Sequence, residues 1–243
     1  ISLTVNPRPT ITSTATPTGI CAGGSATLSA SGGSTYTWSP GPIVGNPVVV
    51  TPGATTTYSV RGSNIFGCTS GSTLILTVSP NPTVIASASP TAICSGGSTT
   101  LTASGATTYT WNPGALTGAS VAVTPTVTTT YTVRGANGAC SSTRTITLIV
   151  NPNPTVNATA SPTAICVGSS ATLTGTGATS YTWNPGAITG TTVVVTPTIN
   201  TTYTLTGANA TGCRSTRTIS LVVNPNPTLT ATASATNICS GAA

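Results

Sequence analysis

Apolar and polar residues alternate along most of the chain, in short runs separated by Gly, Pro and Asn. In one such run Tyr109 and Trp111 lie two residues apart, so both side chains point to the same face of a strand. The middle of the chain shows the alternation best and predicts strands at 84–88, 98–103, 107–111, 120–124, 129–134 and 143–150. Six or seven short strands at this spacing predict an all-β fold, specifically a β-sandwich.

The alternating pattern recurs with a fixed period. An Ile-Cys pair begins each period, and its cysteines are Cys21, Cys94, Cys166 and Cys239, which are 73, 72 and 73 residues apart. A fixed period of this length indicates a tandem array of repeats. Residues 1–5 match residues 219–223 almost one for one. We therefore expect 1–5 to be the last strand of a preceding repeat, 6–78, 79–150 and 151–223 to be complete repeats, and 224–243 to begin a further one.

The predicted repeats are separated by short proline-rich segments of the form Asn-Pro-x-Pro. These include Asn6-Pro7-Arg8-Pro9, Asn151-Pro152-Asn153-Pro154 and Asn224-Pro225-Asn226-Pro227, and the variant Pro80-Asn81-Pro82. Alternate prolines hold the backbone near polyproline II. The segments are expected to act as stiff linkers.

Each complete repeat carries the same three aromatic residues, which we predict to be core residues. They are Tyr36, Trp38 and Tyr58; Tyr109, Trp111 and Tyr131; and Tyr181, Trp183 and Tyr203. A buried Trp contributes a large apolar area, and stacking on a ligand is the alternative role. The later Tyr of each repeat follows a Thr-Thr run, where its hydroxyl could fix a corner by hydrogen-bonding to the backbone.

Each complete repeat also has a second cysteine, and we expect one disulfide within each repeat. The expected pairs are Cys21 with Cys68, Cys94 with Cys140, and Cys166 with Cys213, leaving Cys239 unpaired. Loops of about 47 residues would each add roughly 4 kcal/mol in the chain-entropy model. Regular cysteine pairs in small β repeats indicate an oxidising, extracellular or cell-surface location; reduced thiols in a cytoplasmic protein are the alternative.

The composition excludes most catalytic chemistry. The chain has no Asp, Glu or His, and its net charge of +6 comes from scattered arginines: Arg8, Arg61, Arg134, Arg144, Arg214 and Arg217. General acid-base groups and metal ligands are therefore missing, so we expect neither an enzyme nor a cofactor or metal site. Without a basic cluster, nucleic acid is not expected as a partner, and without a long apolar run this segment is not expected to enter a membrane. A low-complexity, disordered chain is the alternative to a folded one.

Four motifs together resemble a known kind of repeat. They are Cys-x-Gly-Gly-Ser, Tyr-Thr-Trp-Asn-Pro-Gly, Thr-Thr-Thr-Tyr-Thr-Val and the Asn-Gly-Ala-Cys turn at 137–140. They are similar to immunoglobulin-like (Ig-like) and PKD-like repeats of large surface proteins of Bacteroidota, including gliding-type adhesins exported by the type IX secretion system. The resemblance implies small Ig-like sandwiches whose usual role is that of spacers.

These observations favour a structural function: the shaft of a long extracellular fibre, filament or adhesin stalk, with neighbouring repeats of the same protein as partners. A module that binds glycan or protein is the first alternative. A subunit of a self-assembling, multi-chain filament is the second, with other copies of the chain as partners. The abundant Ser and Thr also suggest covalent O-glycans on a glycoprotein surface.

Overall fold

The computed structural model describes residues 1–232, which contain β-strands and no helix. The strands form three groups of eight, called here the first, middle and third repeats. The first repeat contains β1 (Thr12–Thr16), β2 (Gly19–Cys21), β3 (Ala26–Ser31), β4 (Thr35–Ser39), β5 (Ile43–Val44), β6 (Val48–Val50), β7 (Thr56–Ser63) and β8 (Thr69–Ser79). The middle repeat contains β9 (Ile85–Ser89), β10 (Ala92–Cys94), β11 (Thr99–Ser104), β12 (Thr108–Asn112), β13 (Leu116–Thr117), β14 (Ser120–Val123), β15 (Thr129–Asn137) and β16 (Cys140–Asn151). The third repeat contains β17 (Asn157–Ser161), β18 (Ala164–Cys166), β19 (Ala171–Thr176), β20 (Ser180–Asn184), β21 (Ile188–Thr189), β22 (Thr192–Val195), β23 (Thr201–Ala208) and β24 (Arg214–Asn224).

The six strands predicted for the middle repeat are present, with ends that differ by up to three residues. Two further strands, β10 and β13, were not predicted because they are only three and two residues long. The all-β fold of about 73-residue sandwich repeats is confirmed. Residues 1–11 contain no strand, and the proposed role of residues 1–5 stays a prediction.

Each repeat consists of a three-stranded and a five-stranded sheet. In the first repeat the strand orders are β1-β3-β6 and β2-β8-β7-β4-β5, and the corresponding strands of the other repeats follow the same orders. Neighbouring strands are antiparallel except the short second strand, which pairs parallel to the end of the eighth. In the first repeat, buried residues from both sheets, including Leu28 of β3 and Leu76 of β8, form one core.

A fully buried Trp lies in the core of each repeat. Its indole N–H donates to the carbonyl oxygen of a glycine in the turn before the sixth strand, at 3.1–3.2 Å, so the polar end of the side chain has a partner. The pairs are Trp38 with Gly45, Trp111 with Gly118 and Trp183 with Gly190. Of the six tyrosines predicted to be core residues, five are buried and Tyr36 is half-buried. The Trp therefore cannot stack on an external ligand.

The described chain forms two compact units. The first consists of Ile1–Ala92 and Ser98–Ile149; the second consists of Ile93–Gly97 and the residues from Val150 onward. The short segment that carries Cys94 thus belongs to the same unit as the third repeat.

Candidate functional site: the cysteine junctions

The two cysteines of a repeat lie at opposite ends of its eighth strand. In the first repeat, Cys21 is paired with Ser79 at the end of β8, whereas Cys68 directly precedes Thr69 at its beginning. A strand rises about 3.3 Å per residue, so the 11 residues of β8 separate the two cysteines by roughly 35 Å. A disulfide needs Cα atoms about 4.4–6.8 Å apart. The two cysteines of one repeat therefore cannot bond.

The disulfides instead join a cysteine of one repeat to the second cysteine of the following repeat in sequence. Cys21 bonds to Cys140 and Cys94 bonds to Cys213, each across 119 residues with Cα atoms 5.5 Å apart. The pairing expected within repeats, Cys21 with Cys68, Cys94 with Cys140 and Cys166 with Cys213, is therefore wrong. The presence of structural disulfides is itself typical of an oxidising, extracellular setting.

The first junction, within the first compact unit, is fixed by backbone and side-chain hydrogen bonds around the bond between Cys21 and Cys140. The N–H of Ala22 donates to the carbonyl oxygen of Ser79 at 2.9 Å. Asn81, in the proline-rich linker, donates its side-chain amide to the carbonyl oxygen of Ala22 at 3.1 Å. The Sγ of Cys140 lies 3.9 Å from the same Ser79 oxygen. The linker is thus held on both sides of the disulfide.

The second junction, within the second compact unit, repeats this arrangement around the bond between Cys94 and Cys213. The N–H of Ser95 donates to the carbonyl oxygen of Asn151 at 2.9 Å, and the side-chain amide of Asn153 donates to the carbonyl oxygen of Ser95 at 3.1 Å. The Sγ of Cys213 lies 3.8 Å from the Asn151 oxygen. Two junctions with the same partners indicate a built feature of the array.

An asparagine four residues before the second cysteine connects its turn to the linker. The Oδ1 of Asn209 accepts from the N–H of Cys213 at 3.0 Å, while its Nδ2 donates to the carbonyl oxygen of Pro152 at 2.9 Å. Asn64 does the same in the first repeat, with Cys68 and Pro7, at 3.0 Å in both bonds. This role was missed at the sequence level, although the Asn-x-x-x-Cys spacing at 64–68 and 209–213 was visible.

Two cysteines of the described residues are free thiols. Cys68 is half-buried and Cys166 is exposed. The further cysteine expected to be unpaired, Cys239, lies outside the described residues.

The hydroxyl-to-backbone hydrogen bonds that the sequence predicted for the later Tyr of each repeat are formed by the earlier Tyr instead. The hydroxyl of Tyr109 accepts from the N–H of Ala106 and donates to its carbonyl oxygen, both at 2.7 Å. Tyr36 and Tyr181 form the same pair of bonds with Gly33 and Ala178. The earlier Tyr stands three residues after the turn between the third and fourth strands, so its ring reaches back to that turn.

The later tyrosines lie in the core. Burial raises the pKa of the hydroxyl above its ordinary value in Tyr58, Tyr131 and Tyr203. These residues are therefore neutral packing groups at any physiological pH.

The described residues offer little chemistry beyond the junctions. Residues 1–232 contain no group of three or more potential metal-binding side chains and no helix that could span a membrane.

An open cavity of about 810 Å³ lies on the outer face of the first repeat's five-stranded sheet, where it is lined mainly by Ser, Thr and Gly together with Arg61. The guanidinium of Arg61 donates to the hydroxyl of Thr69 at 3.0 Å. The cavity holds a donor and many hydroxyls but no acid or base.

Comparison with known proteins finds fold neighbours only. No family model and no curated protein sequence matches the chain. Among solved structures, a three-Ig-domain fragment of titin (I67–I69, E-to-A variant) has a TM-score of 0.40 and 16% identity, covering 86% of this chain and 95% of the fragment. A Ca²⁺-stabilised adhesin of an Antarctic bacterium that binds ice has a TM-score of 0.35 and 16% identity, covering 91% of this chain and 75% of the adhesin chain. A fragment of a 1.5-MDa bacterial ice-binding adhesin has a TM-score of 0.31 and 14% identity, covering 91% and 100%. The chain is similar to these tandem Ig-like domains in fold.

Proposed function

We propose that this chain is a structural segment of the shaft of an extracellular fibre or adhesin stalk. The observation that carries the proposal is the bond between Cys21 and Cys140, which joins two repeats and not two strands of one repeat. A bond placed there adds little to an individual sandwich. Its effect is to fix one repeat to the next, which is what a load-bearing array requires.

The junction resists bending because it connects the repeats at separate points. In the first compact unit the chain passes through the linker at Pro80 to Pro82, while the disulfide makes a second covalent connection. The side chain of Asn81 ties the linker to Ala22 between them. Prolines on both sides of Asn81 further restrict the linker backbone. Hinge motion would have to break the hydrogen bonds and strain the disulfide.

The junction also shortens the path along which a pulling force travels. With both disulfides intact, force passes from Cys21 to Cys140, back along the chain to Cys94 and across to Cys213, so residues 22–93 and 141–212 are bypassed. These two segments, at about 3.5 Å per residue when extended, amount to roughly 500 Å of chain. A shaft built in this way extends by much less than its full chain length even if its sandwiches unfold.

Single-molecule pulling tests the proposal. The full chain, stretched between its two ends, is expected to gain about 500 Å of final extension when reductant is added. The double variant Cys21→Ser/Cys140→Ser is the comparison: without reductant it should show only about 100 Å of this gain, because the bond between Cys94 and Cys213 still bypasses the chain between those two cysteines. Equal final extension of the native chain with and without reductant would contradict the load-bearing role.

Location and assembly form the finer part of the proposal. The resemblance noted in the sequence supports a cell-surface protein of the gliding-adhesin type exported by type IX secretion in Bacteroidota. We assign the repeat boundaries 6–78, 79–150 and 151–223, with 1–5 and 224–243 belonging to adjoining repeats. Exposed Ser and Thr on the strands provide sites for O-glycans, and peptide mapping that finds only unmodified Thr-rich peptides from native material would remove that part.

A binding module is the second candidate, favoured by the cavity beside Arg61. Hydroxyls and one guanidinium suit the hydroxyl groups of a glycan. Glycan-array binding that is lost in Arg61→Ala and kept in Arg217→Ala would support this function. Absence of any binding by the native chain would leave only the structural role.

A further inference from the structure

Cys68 and Cys166 occupy the same surroundings as the cysteines that form disulfides. Cys68 is a turn cysteine, like Cys140 and Cys213, and Cys166 is a short-strand cysteine, like Cys21 and Cys94. Each complete junction joins one cysteine of each kind, whereas Cys68 and Cys166 are free thiols. This inference rests on the proposed role as a repeat array and asks what each half binds.

The turn half is already built around Cys68. Its Sγ lies 3.6 Å from the carbonyl oxygen of Asn6. In the two complete junctions, the sulfurs of Cys140 and Cys213 lie 3.9 and 3.8 Å from the carbonyl oxygens of the corresponding linker residues. Asn64 donates its side-chain amide to the carbonyl oxygen of Pro7, and Asn209 does the same to the carbonyl oxygen of Pro152 in the second junction. The sulfur of Cys68 is therefore positioned against its linker as if bonded.

The strand half is built around Cys166 in the same way. The N–H of Val167 donates to the carbonyl oxygen of Asn224 at 3.0 Å, as Ala22 and Ser95 do in the complete junctions. Asn226 donates its side-chain amide to the carbonyl oxygen of Val167 at 3.3 Å, the bond that Asn81 makes to Ala22. Cys166 itself is exposed, so its sulfur can be reached from outside.

The segment before Cys68 carries a second, independent sign of a missing neighbour. Residues 1–5 match residues 219–223, yet Leu3 is 88% exposed whereas its counterpart Leu221 is 1% exposed in the core of the third repeat. In that repeat the end of β24 pairs with β18, placing Cys166 opposite Asn224. By the same register, a strand like β18 lying along residues 4–6 would place its cysteine opposite Asn6, beside the sulfur of Cys68.

We infer that Cys68 forms a disulfide with the short-strand cysteine of another repeat of this kind, and that Cys166 forms one with the turn cysteine of another. In each case two thiols lose two protons and two electrons to a disulfide oxidant such as oxidised glutathione, which is reduced to two thiols. The array is thereby continued through an overlapping series of identical junctions. The other repeat can be carried by the same polypeptide or by a second copy of this chain.

An extended chain tests the inference for the first source. Residues 151–218 are added directly before Ile1, so that residues 1–5 complete the added sandwich. The added copy of Cys213 and the original Cys239 are both replaced by Ser to remove those two thiols. After oxidation with glutathione, mass mapping is expected to show the cysteine of the added copy of Ile165-Cys166 bonded to Cys68. When this bond forms, Cys68 is expected to stop reacting with iodoacetamide. A Cys68 that stays free, or that bonds to the original Cys166 of the same chain, would overturn the inference.

The matched control is the same extended chain with the cysteine in the added copy of Ile165-Cys166 replaced by Ser, in which Cys68 is expected to react with iodoacetamide. The unextended chain, oxidised at increasing protein concentration, tests the second source. If this chain forms a ladder of oligomers joined from Cys166 to Cys68, the partner repeat belongs to a second copy of the chain. If it stays monomeric while the extended chain forms the new bond, the partner repeat belongs to the same polypeptide. If the new bond does not form but the bond between Cys21 and Cys140 is still present, this inference is rejected and the load-bearing role stands.

Discussion

Cys21 and Cys140 are bonded to each other across 119 residues, and the carbonyl oxygen of Ser79 lies between their two repeats in contact with both sides of the junction. The bond therefore couples the stability of two repeats. A short-strand cysteine at one end of a sandwich and a turn cysteine at the other end make every repeat able to bond in two directions.

Removing the first junction should destabilise the chain more than removing a free thiol. The double variant Cys21→Ala/Cys140→Ala is expected to lower the free energy of unfolding by about 2–5 kcal/mol. Chemical denaturation without reductant measures the change. Cys68→Ala is the control and should cost less than about 1 kcal/mol, because Cys68 is not bonded in the described chain. Equal losses in the two variants would contradict the pairing.

The tyrosine corner should contribute through its hydroxyl. Tyr109→Phe removes two hydrogen bonds to Ala106 and leaves both backbone groups without that partner. We expect a loss of about 1–2 kcal/mol in the free energy of unfolding. Tyr131→Phe is the matched control, since the ring stays buried and the corner is untouched. A larger loss in Tyr131→Phe than in Tyr109→Phe would place the corner at the later Tyr after all.

Glycine is required where the third strand ends. Gly105 has a φ of +92°, and a Cβ there would overlap the carbonyl oxygen of Thr83. Gly105→Ala is therefore expected to cost more than about 2 kcal/mol, because both the backbone conformation and the backbone contact oppose it. Gly138→Ala is the control: its φ is +60° and no atom lies within 4 Å of the added Cβ, so about 1 kcal/mol is expected. Thermal unfolding of the two variants compares them.

Stability should hardly change with pH in the acid and neutral ranges. The chain has no Asp, Glu or His, so no such side chain titrates between about pH 4 and pH 8. Above about pH 10 stability should fall: burial raises the folded-state pKa of Tyr58, Tyr131 and Tyr203, so the unfolded chain loses these protons first. Denaturation at a series of pH values, with ultraviolet titration of the phenols, measures both effects. A stability maximum near neutral pH would contradict this expectation.

The fold could be predicted from the sequence because alternation and periodicity are local signals. Tyr109 and Trp111 mark one face of a strand, and turn residues mark its ends. The strands β10 and β13 were missed because two or three residues are too few to show alternation. The position of the corner Tyr was wrong because both tyrosines of a repeat follow runs of Thr or Ser, and only the loop between the third and fourth strands brings Tyr109 back to Ala106.

The disulfide pairing could not be predicted because the array is periodic. Cys68 and Cys140 occupy the same place in successive repeats, so spacing alone cannot tell which of them meets Cys21. The length of β8 decides it: the strand places Cys21 and Cys68 at its opposite ends. That argument needs the parallel pairing of β2 with the end of β8, and the three residues of β2 gave no signal.

Mapping the disulfides of the oxidised chain tests the central claim most directly. Trypsin cuts after Arg61, Arg134 and Arg144, which separates the peptide that carries Cys21 from the one that carries Cys140. Without reductant, these two peptides are expected to remain joined. If Cys21 is found bonded to Cys68, the repeats are stabilised one by one, and the account of a shaft fixed at its junctions is contradicted.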